Sequence, residues 1–537
     1  MLRALDQLGV AFAVIAFVLS LTPSLLPRSW VVQGWISAVS VAAGYASGAL
    51  LAWIVRRLHG RMAGPRVRRR VWYGIGAASA VLIPVALWLG GTSQHDVRAA
   101  VHMPEQDSYA YAGIVAIAVA GFLVVLGAAR ALRTLGRVLT IRARRFLPPA
   151  ARWVVAAALV AGVVTSVVTG GLSRGIVALC DAAYAAIDAG TDPGVLQPAS
   201  PLRSGSAASL VPWSSLGVRG RSFVSGGPTV AAIARLTGRP AIVPIRVYAG
   251  TSSARSMSDE AGLVLAELKR TRAFDRALLA IGTPPGEGGL DEALTTPLEY
   301  MYGGDTAIAA MQYSHLPSWV SFVLDEQRAR ESSRTLFDRV YAYWSTLPPA
   351  HRPRVVVFGM SLGALGAADT FSSLADLTAR TSGALFVGPP SDTMLWQHLT
   401  AERDAGTPEI LPVYRDGGTV RFAASPADLR AGDGSLRTPR TVFLQHATDP
   451  VVWWSPALIW SVPGWLAEAH GPGVTGAVRW IPGVTFCQLV GDLQVGANPP
   501  PRYGHHYAPA EVVTAWAAIL HPPGWTAAST AALIAQG

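Results

Sequence analysis

The chain has 537 residues, a mean hydropathy of +0.35 and only 14% charged residues, where a soluble domain carries about a quarter, so part of it belongs in lipid. The net charge of +11 raises nucleic acid as a partner, but residues 1–180 hold 18 arginines against 4 acids. The remainder is slightly acidic and has no footprint for a phosphate backbone.

Five stretches free of ionisable side chains are each long enough for a helix to cross a hydrocarbon core: Leu8–Pro27, Trp30–Val55, Val71–Gly91, Tyr109–Ala129 and Trp153–Gly171. Pumps and transporters keep costly ionisable groups at depth, so these spans predict an anchor rather than a transport path. Arginines crowd the loops after the second span (Arg56 to Arg70) and after the fourth (Arg130 to Arg152), while the first loop carries Arg28 alone. Positive loops stay inside, which predicts a multi-pass plasma-membrane protein with a cytoplasmic N-terminus and everything beyond about residue 175 on the extracytoplasmic side. The spacing of Gly44 and Gly48 suits close helix packing within a chain or between chains, which leaves a homo-oligomer open.

From this pattern we expect a five-helix membrane domain over 1–175, a juxtamembrane helix and linker over 176–210, and a catalytic domain over 211–537. In the last, short β-type runs alternate with helical patterns, predicting an α/β fold with a doubly wound, mostly parallel sheet. Expected strands are Ala241–Tyr248, Ala277–Gly282, Thr306–Tyr313, Arg354–Phe358, Ala384–Val387, Thr441–Gln445 and, as a last candidate, Val478–Ile481. Residues 390–440 sit where such a fold inserts a cap. The cysteines Cys180 and Cys487 are too few for a disulfide framework or a cysteine zinc site and read as separate buried thiols, with a single bridge as the alternative.

Directly after the most convincing strand comes Gly359-Met360-Ser361-Leu362-Gly363, followed by a helical run. Glycine on both flanks permits a strand-to-helix turn tight enough to expose a strained serine hydroxyl, and that context makes Ser361 the candidate nucleophile. A serine needs a base, itself oriented by an acid, and in this fold they follow in that order: serine, acid, base. Asp449, just past the strand Thr441–Gln445, is preferred as the acid over Asp392, Asp416 and Asp433. The base is His505, with His506 as the alternative, because Tyr503-Gly504-His505-His506-Tyr507 precedes the last amphipathic helix. Oxyanion donors are expected from the N–H of Leu362 and from the loop 283–289, where Pro284 and Pro285 lack a donor and Gly286 or Glu287 must supply it. Met360, Trp453 and Trp454 are candidates for an apolar substrate wall, and the tryptophans after Asp449 also suit an interfacial rim.

The sequence resembles the bacterial membrane α/β-hydrolases, common in actinobacteria, that join an N-terminal membrane module to a catalytic module. In the first module the resemblance rests on Leu25-Leu26-Pro27-Arg28-Ser29-Trp30, Gln33-Gly34 and Gly44-Tyr45. In the second it rests on Gln312-Tyr313-Ser314, Leu316-Pro317-Ser318-Trp319, the serine pentapeptide, Asp449-Pro450-Val451-Val452-Trp453-Trp454 and Gly504-His505-His506-Tyr507. It implies hydrolase chemistry without fixing a substrate. The resulting expectation is a serine esterase or lipase acting on lipidic acyl esters, with the bilayer and a lipid or acyl-ester substrate as partners and no metal or cofactor. Alternatives are an acyltransferase of envelope lipids and a catalytically silent membrane scaffold.

Overall fold

The computed structural model describes residues 5–59, 64–105, 110–143, 183–324, 326–429 and 440–536. Its contacts divide the chain into two compact units, Met1–Leu172 with Trp454–Gly504, and Ser173–Trp453 with His505–Gly537. The expected catalytic span 211–537 is thus interrupted: residues 454–504 fold with the N-terminal helices.

In the first unit, α1 (Gln7–Ser20), α2 (Trp30–His59), α3 (Pro65–Ala100) and α4 (Tyr111–Ala143) are described. Three of these helices are long and apolar enough to cross a membrane, over Trp30–Leu58, Pro65–Ala100 and Tyr111–Ala131, rather than the five expected. The first expected span is helical over 14 residues only, about 21 Å at 1.5 Å per residue against a core of about 30 Å. Asp6 caps α1 at its start, accepting from Leu8 and Gly9, and the Thr22-Pro23 step ends its apolar run. The fifth expected span, Trp153–Gly171, lies outside the described residues, as does Cys180; among the described residues Cys487 makes no disulfide. Gly44 and Gly48 pack against α1 of the same chain: a Cβ on Gly44 would lie 2.7 Å from Ala16 Cβ. Trp35, Trp53, Trp88 and Val124 turn apolar surface outward, as lipid-facing helices do.

The second unit is built on seven parallel strands among the described residues, in the order β1-β3-β2-β4-β5-β7-β6. They are β1 Ile245–Ala249, β2 Leu278–Thr283, β3 Thr306–Met311, β4 Arg354–Met360, β5 Gly383–Val387, β6 Val420–Ala423 and β7 Arg440–Leu444. Every residue of β1, β2, β3, β5 and β7 is buried, so helices cover both faces, which is why these strands read as continuous apolar runs. On one face, Val356, Phe358, Leu385 and Val442 pack with Leu298 and with Trp516 and Ile519 of the helix Pro509–Leu520.

Two expectations change. Val478–Ile481 is irregular chain leading into the helix Val484–Val495 and belongs to the first unit; a four-residue apolar run does not by itself distinguish strand from loop. Part of the expected cap, 420–423, instead forms the edge strand β6 beside β7. The linker 189–209 is also docked: Ser204 N–H donates to Arg246 O at 3.0 Å, and Arg221 holds the carbonyls of Ala189 and Gly190.

Glu260 lies in the first turn of the helix Met257–Arg270, buried, with no hydrogen-bond partner for its Oε2 among the described residues. Burial pushes its carboxyl up from 4.5 to about 8. The folded state keeps a proton that the unfolded chain has released, so this contribution to stability is complete below pH 4.5 and is lost as pH rises through 8. Glu260→Gln is expected to flatten the fall in melting temperature between about pH 5 and 8, measured on the detergent-held chain; an unchanged slope contradicts it.

Candidate active site

β2 is flanked by β3 and β4, and the chain leaves β2 toward β3 but leaves β4 toward β5. Connections that part in opposite directions open a crevice at the carboxyl ends of these two strands, the usual ligand position in open α/β sheets. Ser361 stands there, between β4 and the helix Leu362–Asp369, with φ 58° and ψ −129°. This is a sparsely populated conformation for a residue with a side chain, held because its surroundings leave no other path. A side chain on Gly363 would strike the carbonyl of Thr283, and one on Gly359 the carbonyl of Gly363, so only glycine allows the helix to start this close to β2.

Two later segments converge on the same place. The Ser361 N–H donates to Val387 O at 2.8 Å. The next residue, Gly388 (φ 54°), faces Asp449 and His505: a Cβ there would lie 2.6 Å from His505 Cε1 and 3.0 Å from Asp449 Oδ2. His505 Nδ1 is 2.7 Å from Asp449 Oδ2. A carboxylate only accepts hydrogen bonds, so Nδ1 is the donor to Asp449, and in the neutral imidazole Nε2 is then the nitrogen with the lone pair. Nε2 is buried and has no hydrogen-bond partner among the described residues, Ser361 included.

Asp449 is fully buried and further held by Val451 N–H on Oδ1 at 2.9 Å and by the Tyr507 hydroxyl on Oδ2 at 2.7 Å. Burial, then the neighbouring Asp449 charge, raise the Tyr507 phenol well above its usual range, so it remains a donor to the carboxylate. His446 stacks on the Tyr507 ring at 4.1 Å between centroids, and its Nε2 meets Glu511 Oε1 at 3.1 Å.

On the other side of the crevice, the loop after β2 is tied from behind. Tyr248 donates to Gly288 O at 2.7 Å, Gln312 Nε2 to Glu287 O at 3.3 Å, and Gly288 N–H closes a turn on Pro285 O at 2.9 Å. The N–H groups of Gly286, Glu287 and Leu362 have no partner among the described residues.

Of the residues anticipated from sequence, Ser361, Asp449 and His505 are brought together around Gly388, and of the two adjacent histidines it is His505 that bonds Asp449. Asp392 instead bonds Arg330 at 2.7 Å, and Asp433 lies outside the described residues. Met360 packs against the core. Trp453 is buried, its indole donating to His446 O at 2.9 Å, and Trp454 packs near Phe486 in the first unit. Gly388, Tyr507, Gln312 and Tyr248 escaped notice; Gln312 and Tyr507 stood inside recognised motifs, whereas Gly388 carries only a strand end as its signal.

A model described as the alpha/beta-hydrolase family matches residues 245–533, more than half of the chain. The chain belongs to the alpha/beta-hydrolase family. A second model, described as the N-terminus of that family, matches residues 21–228. Comparison with curated proteins and with solved structures gives no match. In this alpha/beta-hydrolase the seven-stranded sheet, the strained Ser361 bend and the Asp449–His505 bond all lie within 245–533.

If Gly388 makes room for the imidazole, Gly388→Ala will slow labelling of the protein by a fluorophosphonate at least tenfold, a loss of about 1.4 kcal/mol in activation free energy. Tyr507→Phe should slow it less, because two donors to Asp449 remain. Wild-type rates for Gly388→Ala would contradict this geometry.

Proposed function

We propose that the protein is a membrane-anchored serine hydrolase that cleaves lipidic acyl esters on the extracytoplasmic side. The observation that carries the reading is the combination at Gly388: a serine held in a strained bend, and a histidine whose Nδ1 is bonded to a buried carboxylate while its Nε2 is unbonded. In this reading Ser361 Oγ attacks the ester carbonyl as His505 Nε2 takes its proton, and Asp449 fixes the imidazole tautomer and favours the imidazolium that forms. The N–H groups of Leu362 and of Gly286 or Glu287 receive the oxyanion. His505 then returns the proton to the departing alcohol, and water resolves the acyl-enzyme by the same steps in reverse.

Three observations support a lipidic substrate and this siting. Three helices among the described residues are long and apolar enough to cross a bilayer, which suits a chain held next to lipid. The turn at 456–463 exposes Ile459, Trp460 and Val462, a composition suited to the membrane boundary. In the sequence, arginines are dense over 56–70 and 130–152 and sparse between the first two apolar stretches, a distribution that suits a catalytic part on the extracytoplasmic side.

A fluorophosphonate probe applied to the full chain in detergent tests the reading. Labelling is expected in the wild type and absent in Ser361→Ala, and Asp449→Asn should lower ester turnover by about 10⁴ through the wrong imidazole tautomer. A folded wild type that takes up no label refutes it.

A further inference from the structure

The two N–H groups suited to an oxyanion are held in different ways. Leu362 opens the helix that starts at the Ser361 bend, so regular structure aims its N–H. The other donor belongs to a loop of prolines and glycines, where the sequence alone does not choose between Gly286 and Glu287. In a planar trans peptide the C=O and the N–H point in opposite directions, so a carbonyl held on one side aims the N–H of the same unit to the other. Pro285 O accepts from Gly288 N–H at 2.9 Å, which aims Gly286 N–H away from that turn. The turn itself is anchored at its next two carbonyls, Glu287 O by Gln312 Nε2 at 3.3 Å and Gly288 O by the Tyr248 hydroxyl at 2.7 Å. Gly286 O has no partner among the described residues, so nothing aims Glu287 N–H in the same way.

Behind the loop stands a closed polar network whose members all belong to the second unit. Gln312, the residue after β3, turns Nε2 to three oxygens: Glu287 O, Ser314 O at 3.0 Å and Asp188 Oδ2 at 3.2 Å. Its Oε1 accepts from Thr251 N–H at 3.4 Å. The amide is thereby fixed in one orientation, because the reverse would set its oxygen against three others. Asp188, the last residue of the helix 183–188, also accepts from Val218 N–H at 3.2 Å and from His315 Nδ1 at 3.0 Å, and His315 Nε2 meets Thr251 Oγ1 at 3.0 Å. Glycine makes room at both ends: a Cβ on Gly217 (φ 69°) would lie 2.5 Å from Asp188 Oδ2, and one on Gly288 (φ 87°) 2.7 Å from Gln312 Cγ. Both Asp188 and Gln312 are buried, and a charged acceptor holds an amide more strongly than a neutral one. Asp188 therefore keeps the Gln312 amide where it reaches Glu287 O.

We propose that Gly286 N–H is the second oxyanion donor and that Gln312 and Asp188 are its positioning residues. This rests on the reading of Ser361, Asp449 and His505 as the triad. The stretch that the sequence presents as a juxtamembrane helix and linker then does more than connect: a chain begun at residue 211 lacks the carboxylate that holds Gln312.

Gln312→Met and Asp188→Asn, each close in size to the residue replaced and made in the full chain in detergent, test this. Active sites are titrated to completion with a fluorophosphonate, and turnover of a short ester is expressed per titrated site. Inhibition by an alkyl boronic acid is measured alongside, since its tetrahedral serine adduct carries an oxygen where the oxyanion forms. Removing one oxyanion donor costs about 10²–10³ in kcat, so a displaced donor is expected to lower kcat per site about tenfold in Gln312→Met and about fivefold in Asp188→Asn. KM should stay unchanged and the boronate inhibition constant rise by the same factor as kcat falls. Wild-type kcat per site, or a fall that leaves boronate inhibition unaltered, overturns the proposal. Loss of all titratable sites in both variants overturns it too, because the network would then serve folding alone. A wild type that does not titrate refutes the triad itself.

Discussion

The 2.7 Å hydrogen bond from His505 Nδ1 to Asp449 Oδ2 is the contact on which the proposed site depends, because it determines which imidazole nitrogen is left for the base role proposed for His505. It also constrains the fold. A fully buried carboxylate is costly unless its lone pairs are occupied, and the occupants of Asp449 come from three places: its own turn through Val451, His505, and Tyr507 two residues beyond it. His446 and Glu511 then hold Tyr507 and the start of the helix Pro509–Leu520, so the surroundings of Asp449 are assembled from the segment after β7 and from residues 505–511 together.

Close approach at glycine does the complementary work on the serine side. The bend at Ser361 exists because Gly359 and Gly363 let strand and helix meet without a side chain between them, and the imidazole fits because Gly388 has none. Both are cases where the backbone conformation of a few residues, rather than any strong attraction, decides where reactive atoms lie. The neighbouring loop after β2 is fixed by Tyr248 and Gln312 from behind, and its Gly286 and Glu287 N–H groups have no partner among the described residues.

Much of this was legible in the sequence. Arg354-Val-Val-Val-Phe358 followed by Gly359-Met360-Ser361-Leu362-Gly363 carries strand, turn and helix in its own residue types, and β4 and its helix stand where that pattern puts them. The choice between His505 and His506 was not legible, because neighbours share every positional rule and only the side-chain direction separates them. Nor was the membrane count: the residues 8–27 are apolar enough for a span, but α1 stops at Ser20 and the chain turns back through a buried polar network around Arg28. The allegiance of 454–504 to the helical unit was invisible for the same reason. Asp492 is an ordinary acid in sequence, and only its meeting with Arg28, far away at the other end of the chain, gives it meaning.

Adduct mapping by mass spectrometry in a matched pair of variants tests the central contact most directly. After exposure to a fluorophosphonate, the account predicts modification of Ser361 in His506→Ala at close to the wild-type rate and none above background in His505→Ala. Modification that survives His505→Ala but disappears in His506→Ala would contradict it.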